Sequence, residues 1–209
     1  MTGNISAAVK RKASRGGWRD YAAHSAVFFK GFLEHPRMVG SIIPSSRFTI
    51  RKMLEPVDWG KCEVFVEYGP GIGTFCRPVL DKMRGDALFV AIDTNPLYVD
   101  HLNKTIRDKR FTAVLGSAED VEQILADLGI ESGASYVLSG LPFSTLPEGV
   151  AEKIAEATHK VLQPGGGFLA YQFTAAVRDF SRPFFERIDE GYEWRNILPC
   201  KLYWAWKAK

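Results

Sequence analysis

Residues 64–73, Val-Phe-Val-Glu-Tyr-Gly-Pro-Gly-Ile-Gly, constrain this chain more than any other stretch. Val64, Phe65 and Val66 form a β-branched and aromatic run of the kind found in a strand buried on both faces. Three glycines then fall within five positions, and residues 74–80 read as the opening turns of a helix. A strand that passes into a helix through so many residues without side chains brings its backbone close to something, either its own fold or a ligand.

The same alternation recurs downstream. Strand-like runs at 64–68, 88–92, 111–115, 134–138, 168–173 and 202–206 are interleaved with helix-like stretches at about 74–84, 96–108, 119–128 and 148–162. Strand and helix in turn predict βαβ units and a doubly wound, mostly parallel α/β sheet. Gln163-Pro164-Gly165-Gly166-Gly167 reads as a helix stop and a tight turn into the next strand. With 209 residues, 46% of them hydrophobic, the chain can bury one full domain core. Ligands in such sheets bind beyond the carboxyl ends of the strands, so the loops there hold the candidate site.

Dinucleotides and S-adenosylmethionine both need a close backbone approach of this kind. A dinucleotide fingerprint counted from Gly69 would need its third glycine or an alanine at Thr74, one residue after Gly73. The spacing is instead E-x-G-x-G-x-G from Glu67, which resembles the first motif of class I S-adenosylmethionine-dependent methyltransferases. That resemblance implies a Rossmann-like, seven-stranded fold and S-adenosylmethionine as donor, with S-adenosylhomocysteine as product. It also implies donor contacts at Glu67, Tyr68, Gly69, Gly71 and Gly73. Asp93 ends the second strand-like run twenty positions after Gly73, where a carboxylate can accept both ribose hydroxyls, with Thr94 beside it. The third run leads into Ser117, Ala118 and Glu119, which line the adenine in the resembling family; Ser117 or Asp120 is equally suited to capping a helix.

The fourth run leads into Ser139-Gly140-Leu141-Pro142-Phe143. Amino methyltransferases of nucleic acids carry Asn or Asp where this chain has Gly140, so the side-chain acceptor for a target amine is missing here. The stretch is more similar to the bacterial phospholipid N-methyltransferases of the soluble, membrane-associating type. Besides Ser139 to Pro142, that resemblance rests on Phe32-Leu33, Pro36, the 39–46 segment with Pro44-Ser45-Ser46, Tyr171-Gln172-Phe173 and the 194–199 segment. Phe180-Ser181-Arg182-Pro183 departs from it, being longer and more basic. The resemblance implies stepwise conversion of phosphatidylethanolamine toward phosphatidylcholine. It places Ser139, Gly140 and Leu141 at the acceptor, with the Gly140 and Leu141 carbonyls orienting the amine. Ser41, Ile43 and the rest of 41–46 would close over the donor, and Tyr21, His24 or Tyr171 would assist proton loss. Paired carboxylates and His-Asp pairs are absent from the strand ends.

Charge supplies a second line of argument. The chain is +3 overall, yet residues 1–52 hold ten Lys or Arg against Asp20 and Glu34, a local charge of +8. Such a segment points to a polyanion, nucleic acid or an anionic membrane surface. Trp18, Tyr21, Phe28, Phe29 and Phe32 recur near helical spacing beside those cations, as in a helix that lies in a membrane interface or one that packs on the sheet. Residues 1–52 are therefore read as a basic, aromatic extension and lid, and 53–209 as the catalytic domain. Arg47, Arg178, Arg182 and Arg195 are candidates to grip a lipid phosphate. No apolar run reaches the roughly 18 residues that cross a bilayer, which predicts a cytoplasmic protein peripheral to the inner membrane face. Three scattered cysteines and four scattered histidines lack metal-ligand spacing. The chain stops three residues after its last strand-like run, leaving no room for the extra helical domain of rRNA adenine dimethyltransferases, and nucleic acid is disfavoured as a partner. An RNA or small-amine N-methyltransferase, and a membrane-bound donor-binding protein without turnover, stand as alternatives; oligomeric state stays open.

Overall fold

The computed structural model describes residues 46–172, 176–196 and 199–209. The aromatic N-terminal segment expected to be helical, with Tyr21 and His24, the Ser41 and Ile43 positions, and Phe173 lie outside the described residues. Seven strands form one sheet: β1 (Val64–Tyr68), β2 (Leu88–Asp93), β3 (Phe111–Leu115), β4 (Ala134–Ser139), β5 (Leu162–Gln172), β6 (Arg187–Glu193) and β7 (Cys200–Trp206), in the spatial order β3-β2-β1-β4-β5-β7-β6. β1 to β5 pair in parallel, and β7 runs antiparallel between β5 and β6. The order reverses between β1 and β4, so their carboxyl ends flank the crevice at which such sheets bind ligands.

Among the described residues, six α-helices cover the two faces. α1 (Arg47–Met53), α2 (Cys76–Leu80) and α3 (Pro96–Thr105) pack on one side, where Met53, Phe65, Phe75, Phe89, Leu102 and Leu138 share a core. α4 (Val121–Asp127), α5 (Val150–Val161) and α6 (Ala176–Ser181) cover the other, over Val66, Tyr68, Val137, Ile154 and Phe168. Neighbouring strand residues face opposite ways, and with both faces covered all five residues of β1 are buried. Ser46 caps α1 by accepting from the Thr49 N–H at 3.2 Å, and Asn95, followed by Pro96, caps α3 by accepting from the Leu97 N–H at 3.0 Å. α1 spans the expected boundary after residue 52 without a break, and the Trp204 indole donates to the Met53 carbonyl at 3.0 Å.

Two elements differ from the sequence reading. The polar segment Arg-Ile-Asp-Glu-Gly-Tyr-Glu, which lacks an apolar run, forms β6 at the sheet edge, where one flank has no strand partner among the described residues and only Glu193 is buried. Residues 163–166, read as a turn before a strand, lie within β5, whose register against β4 jumps from Ala134–Leu162 to Tyr136–Gly167. The turn chemistry survives as a bulge, with Gly165 at φ +76° and its N–H donating to the Ala208 carbonyl.

The Tyr68 hydroxyl, fully buried under α5, lies 3.1 Å from the Thr158 hydroxyl. Tyr68→Phe alone strands Thr158 and is expected to lower stability by about 1–3 kcal/mol, whereas Tyr68→Phe with Thr158→Val comes closer to neutral; urea unfolding of the three variants measures the difference.

Candidate active site

Glu67 points from β1 into the face that carries α2, between Ala91 of β2 and Leu138 of β4. Its residue is 3% exposed, and the Cys76 thiol donates to Oε2 at 3.5 Å. Burial pushes this carboxyl up to about 8; the Asp93 charge adds to the rise, and the Cys76 hydrogen bond opposes it. Burial also raises the Cys76 thiol, and the Glu67 carboxylate adds to that rise. A buried carboxyl with a single weak donor beside it is a costly arrangement that a cationic ligand group would relieve.

The glycines differ in what holds them. Gly69, Gly71 and Gly73 all have positive φ, at 63°, 55° and 88°. A Cβ on Gly73 would stand 2.7 Å from Leu102 Cδ2, and one on Gly69 would stand 2.9 Å from Leu141 Cδ2, so both are packed against the fold. A Cβ on Gly71 would meet nothing within 4 Å. That bare backbone is the part of the loop available to a ligand.

Asp93, at the end of β2, ties the loop down. One carboxylate oxygen accepts from the Gly71 N–H at 3.2 Å and the other from the Asn95 N–H at 2.8 Å. Burial raises this carboxyl, and the N–H groups of Asn95, Gly71 and Thr94 oppose the rise. Ser117 accepts from the Glu119 N–H at 3.3 Å and caps the short 3-10 turn Ala118–Asp120, in which Ala118 is buried and Glu119 exposed. The sequence reading missed Ile72 and Leu97, which follow β1 and β2 and are 58% and 74% exposed. Exposed apolar side chains on the glycine loop and on the first turn of α3 suit the face of a flat ring.

Several expected side chains turn elsewhere. The alternation of β1 sends the Tyr68 phenol to the opposite face, so of Tyr68 only the backbone serves this end of the sheet, its carbonyl accepting from the Gly140 N–H at 3.0 Å. The Ser139 hydroxyl is buried and accepts from the Leu141 N–H at 3.3 Å. The Leu141 carbonyl accepts both from the Phe143 N–H and from the Gln172 side-chain amide, which fills its two lone pairs and removes it as a group to orient an amine. Arg178 pairs with Asp179 and Glu190, and Arg195 grips Glu193 through two nitrogens while lying over the Phe48 ring, which holds the Glu193 carboxyl down at about 2.

No family model matches the chain. A curated ornithine lipid N-methyltransferase from Singulisphaera acidiphila is 28% identical over 181 residues, covering 86% of this chain and 94% of that protein. Among solved structures, an N1-methyltransferase from Burkholderia thailandensis with bound 1,6-didemethyltoxoflavin and S-adenosylhomocysteine superposes with TM-score 0.64 at 14% identity, covering 93% and 92% of the two chains. An O-methyltransferase family protein from the same organism gives 0.63 at 13% identity over 83% of this chain, which spans 58% of that protein's length. The chain has the fold of the class I S-adenosylmethionine-dependent methyltransferases. Its residues fit that donor: the open Gly71 backbone, the buried Glu67 carboxyl and the Asp93 carboxylate lie along the ends of β1 and β2.

Below about pH 8 the Glu67 carboxyl is largely protonated, and pairing it with the donor's ammonium requires its ionised form. Donor affinity by titration calorimetry should therefore rise from pH 6 toward 8, by up to about tenfold per unit, and then fall as the donor's own α-ammonium, with an ordinary pKa of about 7.7–8.0, loses its proton. The Glu67→Gln variant should bind weakly without that rise, and a flat wild-type profile would separate Glu67 from the donor. Gly71→Ala is expected to lose donor affinity at a stability cost of about 1–2 kcal/mol. Gly73→Ala, which collides with Leu102, should lose more stability, as thermal unfolding will show.

Proposed function

We propose that this protein is an S-adenosylmethionine-dependent N-methyltransferase that acts on the amine headgroup of a membrane phospholipid, converting phosphatidylethanolamine through its mono- and dimethyl derivatives toward phosphatidylcholine. The observation that carries the reading is the Ser139–Pro142 turn, which the β1–β4 pairing sets directly beside the donor glycines. The name of the relative from Singulisphaera acidiphila supports a lipid amine as acceptor.

When bound, the donor would supply an electrophilic methyl group on a sulfonium for an in-line displacement by an uncharged amine, with the electron pair of the broken bond left on sulfur; after the first and second transfers the nitrogen would shed a proton to water, and after the third it would stay a quaternary ammonium with no proton to lose. Glu67, Tyr68, Gly69, Gly71 and Gly73 would hold the amino-acid part of the donor. Asp93 and Thr94 would hold its ribose, and Ser117, Ala118 and Glu119 would border its adenine. The chain's contribution is mainly position and exclusion of water, because the described strand ends offer no His-carboxylate pair to act as a strong base. Ser139 shapes the acceptor turn through its bond to the Leu141 N–H.

Among the described residues no helix is long and apolar enough to cross a membrane. The +8 charge of residues 1–52 supports peripheral attachment to an anionic leaflet on the cytoplasmic side, each cation near the surface adding on the order of 1 kcal/mol. Ser41, Ile43 and Tyr21 belong to this segment and would cover the donor and the entering headgroup.

The decisive assay incubates the protein and radiolabelled S-adenosylmethionine with anionic liposomes that contain phosphatidylethanolamine or ornithine lipid, with and without residues 1–19. Label in phosphatidylethanolamine that depends on residues 1–19 is the expected result. Label in ornithine lipid alone would change the headgroup, and no label despite measurable donor binding would redirect the search to RNA and soluble amines.

A further inference from the structure

Gly140 stands where other amino methyltransferases present a side-chain oxygen, and the structure shows what occupies that space. The β4–β5 register pairs Ser139 with Ala170, which sets Tyr171 alongside Gly140. A Cβ on Gly140 would lie 2.5 Å from the Tyr171 hydroxyl oxygen, 3.2 Å from Cζ and 3.3 Å from the Gly69 carbonyl oxygen. Phe75 stacks on the Tyr171 ring with centroids 5.2 Å apart and planes 27° apart, so the phenol is braced from the loop that enters α2. Gly140 is glycine because any side chain would drive the phenol out.

We propose that the Tyr171 hydroxyl oxygen, reaching from β5 over Gly140, is the hydrogen-bond acceptor that holds the lipid amine. The proposal rests on the reading of the acceptor as an amine. It has a consequence in the order of methyl transfers. An uncharged primary amine has two N–H bonds, and its lone pair stays free for methyl transfer while one of them is held by the phenol oxygen. A monomethyl amine has one N–H left, and an uncharged dimethyl amine has none. Tyr171 can therefore orient the first two acceptors but has no hydrogen to take from the third.

The test compares wild type with Tyr171→Phe, which keeps the ring stacked on Phe75 and removes only the oxygen. Turnover is measured separately on vesicles of phosphatidylethanolamine and of its monomethyl and dimethyl derivatives, and donor affinity by calorimetry. The expected result is a loss of roughly 100-fold in kcat/KM on the first two substrates, with donor affinity and turnover of the dimethyl lipid within about twofold of wild type. Equal losses on all three lipids, or none, would overturn the proposal. Moving the acceptor back to the turn is the second arm: Gly140→Asn alone should be inactive through collision with the phenol, whereas Gly140→Asn with Tyr171→Ala should exceed either single variant on phosphatidylethanolamine. Failure of the double variant to exceed both would also count against it. If wild type binds donor but methylates none of the three lipids, the functional reading fails rather than the role of Tyr171.

Discussion

The hydrogen bond from the Gly71 N–H to the Asp93 carboxylate joins the ends of β1 and β2 and sets the shape of the glycine loop between them. A bond of this charge-assisted kind contributes about 1.5–3 kcal/mol. It also explains why the loop can leave Gly71 bare: Gly69 and Gly73 are packed against Leu141 and Leu102 on either side, and Asp93 holds the segment between them. Glu67 lies one turn of the strand pleat behind, on the face of α2, where water is excluded and its carboxyl gains most from a cationic partner. On the proposed reading, the Asp93 that shapes the loop would also hold the donor's ribose, and that would couple the order of the loop to the ligand that fills it.

The acceptor side is assembled by a different set of contacts. Gly140 donates to the Tyr68 carbonyl, and Gln172 donates to the Leu141 carbonyl, so the turn after β4 is stitched to β1 on one flank and to β5 on the other. Such a turn is stiff, in keeping with a reaction that depends on placing two reactants in line more than on moving protons. The antiparallel β7 supports it from behind, with Tyr171 facing Leu202 in the ladder. Charge is separated from chemistry in this plan: the cations concentrate in residues 1–52, while the described crevice is lined by buried carboxylates and bare backbone.

Much of the fold was legible in the residues because buried parallel strands need uninterrupted β-branched and aromatic runs. Val64–Tyr68 and Phe111–Leu115 coincide with the expected strands, and β2 and β4 each extend one residue further. β6 was not legible, since an edge strand half in water needs no apolar run, and Arg187–Glu193 is held by its ladder with β7. The bulge at 163–166 was hidden for a related reason: its turn residues are genuine, yet the strand on either side closes around them. The left-handed glycines and the acid that ties their loop stood out in the sequence because both features are local to a loop. The duties of the Leu141 carbonyl and the direction of the Tyr68 phenol were not.

By itself the sequence determined the alternation of strand and helix, the glycine turn after β1, the acid after β2 and the concentration of cations before residue 53. These follow from local periodicity and from the need for left-handed backbone at three glycines. Only the tertiary structure decided that Gly140 makes room for the hydroxyl of Tyr171, which lies 31 positions away. The physical reason is register: which residue of β5 stands beside the end of β4 depends on a bulge that shifts the ladder, and no local preference of either segment encodes that shift.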